Sequence, residues 1–509
     1  MKKYIGLLFA MLVMVSCESL EDTYEDFAGN GPVRYLGKCT DLTIQPGWNR
    51  LQVRWTNSPD PVIRHIRITW SKDAMVKEEL VDRETSEYDI TDLEDGSYEV
   101  TICAVDKNGN TSLESTDYGR PYTENHEMVQ AFTRVISRHF FFQDRLILFF
   151  LGWEDNVNEA YLTYTKKDGT TGRLDLTKKI VNSLYYMVPE EIDLSKPVEF
   201  YRKGYISGCT DEIVFQPIEL EHNKIYNADF RQDMLRQYGY ESIPEEWANT
   251  VETLELDRSF SNFADLLNFP NLKTLVLGKH RYILEEMVDD IERSQSKVYD
   301  VKMSNFVLKT LKELNGLTIE RYNQHYKDLM ASLITEMGEP ELPEYDYLNL
   351  SGQKFTSNPA DEGGANSHLE YLTDNDPYSC WEPYAMKEST TYDLDLDLGS
   401  EKTLRGLKLV QTYFSSLNAE KRAKAPNTVK IYVSTDGNSW QYATWLEELE
   451  IGNSTGETNI IPFAGEKQAR YVRVRVTTPL YVQAYEVTLA EIGLYLSLIH
   501  ISEPTRPRL

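Results

Sequence analysis

The sequence predicts a mainly β protein of several domains, and three observations carry that reading. The chain has 509 residues, more than a single hydrophobic core organises. Aromatic residues make up 12 %, with 33 Tyr among them, a bias toward strands and ring-lined surfaces. Short alternating apolar segments bounded by Gly, Pro, Asn and Asp recur along most of its length. The formal net charge of −28 repels nucleic acid and anionic lipid before contact forms. It therefore excludes nucleic acid as a partner and favours neutral ligands.

The first 17 residues read as a signal peptide. Lys2 and Lys3 are followed by an apolar run, 5–15, too short to span a bilayer. Met14-Val15-Ser16-Cys17 resembles a bacterial lipobox. That resemblance implies acylation of Cys17 and membrane attachment by lipid anchor only; the alternative is plain secretion. Residues 18–29 form an acidic tether with Glu18, Glu21, Asp22, Glu25 and Asp26. The run resembles the surface-export signal of Bacteroidota lipoproteins, which implies an outer-membrane protein facing outside. A merely solvated tether is the other reading.

Residues 30–122 read as a small β-sandwich. Strands are expected at 42–45, 49–55, 63–70, 87–90 and 97–105, separated by Pro46-Gly47, Asp95-Gly96 and Lys107-Asn108-Gly109-Asn110. That spacing suggests an immunoglobulin or fibronectin-III-like fold. Tyr98-Glu99-Val100-Thr101-Ile102-Cys103-Ala104-Val105-Asp106 resembles the Y-x-V-x-V-x-A-x-D strand of fibronectin-III modules. The segment 35–50 also resembles an uncharacterised N-terminal domain of Bacteroidota lipoproteins, which carries no catalytic residues. Trp55 and Trp70 are expected in the core. Cys39 and Cys103 either bridge or stay as small buried thiols; with Cys209 and Cys380 they form no CxxC pair, so a zinc or redox centre has no support.

Residues 123–222 read as a second sandwich of this kind, with an apolar strand at 145–153, an alternating one at 160–164 and a turn at Lys167-Asp168-Gly169. Residues 223–345 change character. Helical periodicity marks 227–238 and 285–292. Val251-Glu252-Thr253-Leu254-Glu255-Leu256 recurs 21 residues later as Leu272-Lys273-Thr274-Leu275-Val276-Leu277, with weaker echoes at 297–301 and 314–319. The spacing fits a short α/β leucine-rich-repeat-like segment; an ordinary α/β linker domain is the alternative. Residues 339–347, acidic with two prolines, read as a stiff linker.

Residues 348–495 show strands at 392–398, 404–410, 428–434, 471–477 and 489–495, the spacing of a jelly roll. Five pieces follow in order: Asp374-Asn375-Asp376-Pro377-Tyr378-Ser379-Cys380-Trp381, Asp395-Leu396-Asp397-Leu398-Gly399, 426–440, 469–474 and Leu489-Ala490-Glu491-Ile492. In this order they resemble the coagulation-factor 5/8 type C, or discoidin, domain, which includes family 32 carbohydrate-binding modules. Trp381 is expected in the core, and Trp440 as a core aromatic after the 434–439 hairpin. Arg473 and Arg475 alternate with valines, giving one charged face and one apolar face.

Hard oxygen donors at the spacing of Asp374, Asp376 and Ser379 suit Ca²⁺; a plain Asx-turn is the other reading. The discoidin resemblance implies a structural calcium held by Asp374, Asp376, Ser379 and Glu491. It also implies ligand binding by loops at one end, with His368, Tyr384, Tyr413, Phe414, Asn418 and Tyr481 as candidates. Residues 496–509 resemble translated sequencing-adapter read-through and are set apart from the fold.

No GxSxG, HExxH, P-loop or dinucleotide fingerprint occurs, and the eight His show no metal spacing. The expectation is a non-catalytic surface lipoprotein that binds an extracellular glycan through its discoidin-like domain. A protein-interaction or adhesion subunit of an outer-membrane nutrient-uptake complex is the alternative, and an unrecognised glycosidase a third.

Overall fold

The computed structural model describes residues 35–132, 135–283, 295–338, 345–360, 367–413, 424–481 and 483–498. The leader with Cys17, the acidic tether, the expected helix over 285–292 and residues 499–509 lie outside them. The described residues fall in two compact units that do not follow chain order. One is drawn from 1–137, 150–184 and 195–220, the other from 138–149, 185–194 and 221–509.

The first unit begins with a two-sheet β-sandwich. Thr40–Gly47, Arg50–Thr56 and Glu87–Ile90 form one antiparallel sheet. Met75–Asp82, Ile63–Lys72, Tyr98–Asp106 and Ser115–Gly119 form the other, in that order. This three-on-four arrangement is fibronectin-III-like. Period-two alternation sends Leu51, Val53 and Trp55 inward from one sheet and Ile66, Ile68 and Trp70 from the other. Both tryptophans are therefore core residues. Tyr98 closes a corner, its hydroxyl accepting from the Glu94 N–H at 3.2 Å. Cys39 and Cys103 are buried and unbridged, and burial pushes both thiols up.

A five-stranded antiparallel sheet follows in this unit, Thr171–Asp175, Val157–Thr165, Glu199–Gly204 and Ile213–Val214, with Ile218–Glu219 also on Glu199–Gly204. Leu162, Tyr164, Phe200 and Ile213 are among its buried side chains.

Ile136–Phe142, Arg145–Phe150 and Tyr185–Met187 form a three-stranded sheet, most of which, 138–149 and 185–187, belongs to the second unit. Phe140, Phe142, Ile147 and Phe149 enter the same core as the repeat-like segment, with Phe149 edge-on to Phe306 at 6.1 Å. That segment has a parallel sheet, Thr253–Leu256, Thr274–Leu277, Thr318–Arg321 and Thr335–Glu336. Thr253 faces Thr274 and Leu254 faces Leu275, so the 21-residue echo in the sequence is a register in space. Phe263, Leu266, Leu267 and Phe269 fill the turn between the two strands. The echo at 314–319 overlaps the third strand. The one at 297–301 gives only an isolated parallel bridge, Val298 to Phe260.

Helix Ala228–Tyr238 matches the periodicity and ends at Gly239 in the left-handed region. Helix Val301–Asn315 was not expected. Asp300 caps it by accepting from the Met303 N–H at 2.9 Å, and Gly316 ends it.

The C-terminal jelly roll centres on two 20-residue strands, Thr391–Val410 and Thr458–Thr477, paired antiparallel with irregularities after Asp397 and Leu404. The expected strands 392–398 and 404–410 are thus one. Thr428–Ser434 flanks one long strand and Glu491–Leu498 the other, the last running past the expected boundary at 495. Trp381 is fully buried, edge-on to Tyr392 at 5.3 Å. Trp440 corrects an expectation: it lies outside the core, over the Arg473 guanidinium at 4.1 Å. Arg473 clamps Asp395 and Arg475 clamps Asp393 by paired hydrogen bonds, while Val472, Val474 and Val476 face inward.

Candidate ligand-binding end of the C-terminal jelly roll

A short 3₁₀ turn, Leu369–Thr373, delivers the chain into the acidic loop. Asp374 Oδ1 accepts from the Asp376 N–H at 2.9 Å, and Asp374 Oδ2 from the Ser379 hydroxyl at 2.8 Å. Asp376 Oδ1 accepts from the Tyr378 N–H at 3.0 Å. Between the aspartates Asn375 sits at φ 60°, a left-handed position that Asn tolerates better than most residues. The loop therefore has the form of an Asx-turn whose acids already accept local hydrogen bonds.

Glu491 comes from the start of the last strand, paired with Val410. It is 4 % exposed, and its Oε1 has no hydrogen-bond partner. Burial, reinforced by the neighbouring Asp374 carboxyl, pushes its pKa up to about 7; Lys408 and the Asp376 N–H pull the other way. The four expected calcium residues thus lie in one locality. Among the described residues, however, no group of three or more His, Cys, Asp or Glu side chains is arranged to hold a metal ion.

Two exposed tyrosines stand here. Tyr378 is 68 % exposed and packs edge-on to Tyr413 at 4.8 Å; Tyr384 is 65 % exposed. Such rings present a flat apolar surface with a polar tip. His368 is half-exposed and turns toward Glu370 at 3.3 Å and the Tyr371 ring at 4.8 Å. Phe414 and Asn418 lie outside the described residues, as does the side chain of Tyr481, whose backbone pairs with Ala484.

Sequence reading missed what holds these loops. The Lys424 ammonium sits between Glu382, at 2.8 Å, and Glu486, all three largely buried. Burial opposes its charge, but the two carboxylates overcome that and raise its pKa. Bridges Trp381 to Leu489 and Met386 to Tyr485 tie the same loops by backbone. Tyr378 was legible inside the acidic motif; the Lys424 triad joins residues over 40 positions apart and left no local signal.

Beside this end, loop 452–457 is engaged by the repeat-like segment. Strand Arg281–Tyr282 pairs antiparallel with Thr458 and Asn459. Arg281 Nε donates to the fully buried Glu457 at 2.8 Å, and its Nη1 to Ser296 Oγ at 2.6 Å. Ser296 N–H donates to His325 Nδ1 at 2.9 Å.

These features define a multidomain β protein whose C-terminal module is a discoidin-like jelly roll. Residues 354–491 match the F5/8 type C domain family model, so the C-terminal module is an F5/8 type C domain. Residues 17–194 match a model described only as a domain of unknown function. Among curated proteins, none matches. Similar solved structures include the F5/8 type C domain of a Bacteroides fragilis protein, with 15 % identity, 30 % of this chain and 95 % of that one covered, and a TM-score of 0.24. A CBM32 module from a family 31 glycoside hydrolase of Clostridium perfringens has 14 % identity over 28 % of this chain and 93 % of that one, with a TM-score of 0.22. A two-domain fibronectin type-III segment of chicken tenascin has 12 % identity over 36 % and 97 %, with a TM-score of 0.18. The F5/8 type C match points to ligand binding in general.

Proposed function

We propose that the protein is a non-catalytic cell-surface lipoprotein that binds extracellular carbohydrate at the loop end of its jelly roll. The carrying observation is the pair of exposed rings, Tyr378 and Tyr384, on loops locked by the Lys424 triad and by backbone bridges. Rigid aromatic faces stack on the apolar face of a sugar at little entropic cost. Tyr413 backs Tyr378, and His368 borders the approach to the acidic loop. The net charge of −28 favours a neutral glycan. The F5/8 type C match over residues 354–491 agrees in kind with this reading. Anchoring through Cys17 at the outer face of the outer membrane rests on Met14 to Cys17 and the acidic run after it.

Calcium belongs to the same proposal. Asp374, Asp376 and Ser379 offer hard oxygen donors, and Glu491 offers a buried oxygen without a partner. Hard oxygen donors of this kind are what such a cation takes, and bound there it would fix the loop and take no part in chemistry.

The test is a glycan array probed with the intact chain. Binding to a defined glycan set is expected, with Tyr378→Ala and Tyr384→Ala each weakening it about tenfold, as loss of one stacked ring would. An intact chain that binds no glycan but retains a protein partner from the cell envelope favours the interaction-subunit reading and ends this one.

A further inference from the structure

The outer face of one jelly-roll sheet carries aromatic rings that neither the core nor the loop end uses. Arg473 lies opposite Asp395 on one neighbouring strand and Tyr432 on the other, and Arg475 lies opposite Asp393. These side chains therefore share one face, and Val472, Val474 and Val476 take the other, in the core. Tyr442 lies opposite Tyr432 and joins the outer face. Trp440, which follows the 434–439 hairpin, has its ring over the Arg473 guanidinium and so belongs to the same face.

Each of these two rings is held from the protein side and left partly open. The guanidinium under Trp440 is fixed by two hydrogen bonds to Asp395, at 2.6 and 2.7 Å. The hairpin before Trp440 is pinned by Asp436, which accepts from the Asn438 and Ser439 N–H groups at 2.8 and 2.7 Å. Tyr442 packs on Tyr432 with ring centroids 4.9 Å apart, and the Tyr432 hydroxyl accepts from Arg475 Nη1 at 3.1 Å. Tyr442 is 40 % exposed, and Trp440 is also partly exposed. The charges of the face are matched in place: Asp395 holds Arg473, Asp393 holds Arg475 and Glu447 holds Lys430. These pairs cancel, so the face offers hydrogen-bonding groups without a net pull on a charged ligand.

We propose that this sheet face is a second binding site, which takes an internal stretch of a linear, neutral polysaccharide by stacking its sugar rings on Trp440 and Tyr442. The proposal rests on the reading of the protein as a glycan binder, but not on the loop end. Rings that are already immobilised stack on apolar sugar faces at little entropic cost, and the fixed Arg and Asp groups beside them suit sugar hydroxyls. Trp440 and Tyr442 are two positions apart, about 7 Å along an extended chain, so a ligand touching both is at least two sugar residues long. A sheet face has no end wall, unlike a pocket between loops, and therefore takes a chain in passing rather than its terminus.

Native gels cast with mixed-linkage β-glucan, xyloglucan, galactomannan or arabinoxylan test this on the intact chain. Retardation by at least one polymer is expected. Trp440→Ala and Tyr442→Ala should each weaken it about tenfold, and Trp440→Tyr, which keeps a ring, should retain most of it. Neither ring is in the core, so the variants should unfold close to the native temperature. They should also bind short glycans on the array as the native chain does, whereas Tyr378→Ala should weaken array binding and leave the retardation unchanged. Retardation by none of the four polymers overturns the proposal, as does retardation that survives Trp440→Ala combined with Tyr442→Ala. A blank array beside Trp440-dependent retardation would remove the loop-end site and leave this one standing; array binding without retardation would do the reverse.

Discussion

Glu491→Gln isolates the behaviour of the acidic loop. A Glu ordinarily ionises near 4.5, and Glu491 near 7 in the folded chain, a difference of about 2.5. At about 1.4 kcal/mol per unit, the carboxylate costs the native state roughly 3–4 kcal/mol once ionised. The folded pKa is the raised one, so between pH 4.5 and 7 the native state holds a proton that the unfolded chain has released. The stability this confers is complete below pH 4.5 and is lost as pH rises through 7. The native chain in EDTA should therefore be less stable at pH 8 than at pH 5, and millimolar calcium at pH 8 should restore much of the loss. Glu491→Gln keeps the shape and removes the charge; it should be more stable than the native chain in EDTA at pH 8 and should show neither the calcium effect nor this part of the pH dependence. Denaturant unfolding at the two pH values, with and without calcium, reads all of this. A variant with the same pH slope as the native chain would refute the reasoning.

Three further substitutions probe the frame. Trp381→Ala empties a fully buried site and should cost roughly 3–5 kcal/mol, seen as a lower denaturation midpoint. Tyr98→Phe removes the corner hydrogen bond to Glu94 and should cost about 1 kcal/mol by chemical denaturation; an unchanged midpoint would deny the bond any weight. Arg281→Met strands the buried Glu457 and should cost roughly 3–5 kcal/mol, whereas Arg281→Met with Glu457→Met should recover most of that; strict additivity in the double-mutant cycle would show that the two residues do not act as a pair.

The parts of this fold that local pattern controls were legible. Period-two alternation predicted strands at 49–55, 63–70 and 97–105, which lie at Arg50–Thr56, Ile63–Lys72 and Tyr98–Asp106, and the two halves of the 21-residue echo pair in parallel register. Helix Val301–Asn315 is marked in the sequence by Asp300, Gly316 and the 306, 307, 308, 311 spacing, but the weaker repeat echoes at 297–301 and 314–319 overlap both its ends. Trp440 was misplaced because a hairpin motif fixes where a ring begins, not whether a neighbouring arginine will draw it outward. The acidic loop and Glu491 came from motif order, but the raised pKa of Glu491 arises from burial, which no single sequence displays. The Lys424 triad and the Arg281 to Glu457 pair depend on tertiary approach between distant positions, the kind of fact that pattern reading cannot reach.

The two-residue strand Arg281–Tyr282 has a consequence for where this protein can be divided. A fragment cut at the motif boundary near 348 would leave the edge of a long strand bare at Thr458 and Asn459, with the Glu457 carboxylate stripped of its guanidinium. Such a piece carries a ready template for strand addition by another copy. Recombination or truncation that respects the visible family limits would thus tend to produce aggregating halves, and the repeat-like segment and its jelly roll are inherited most safely as one cassette.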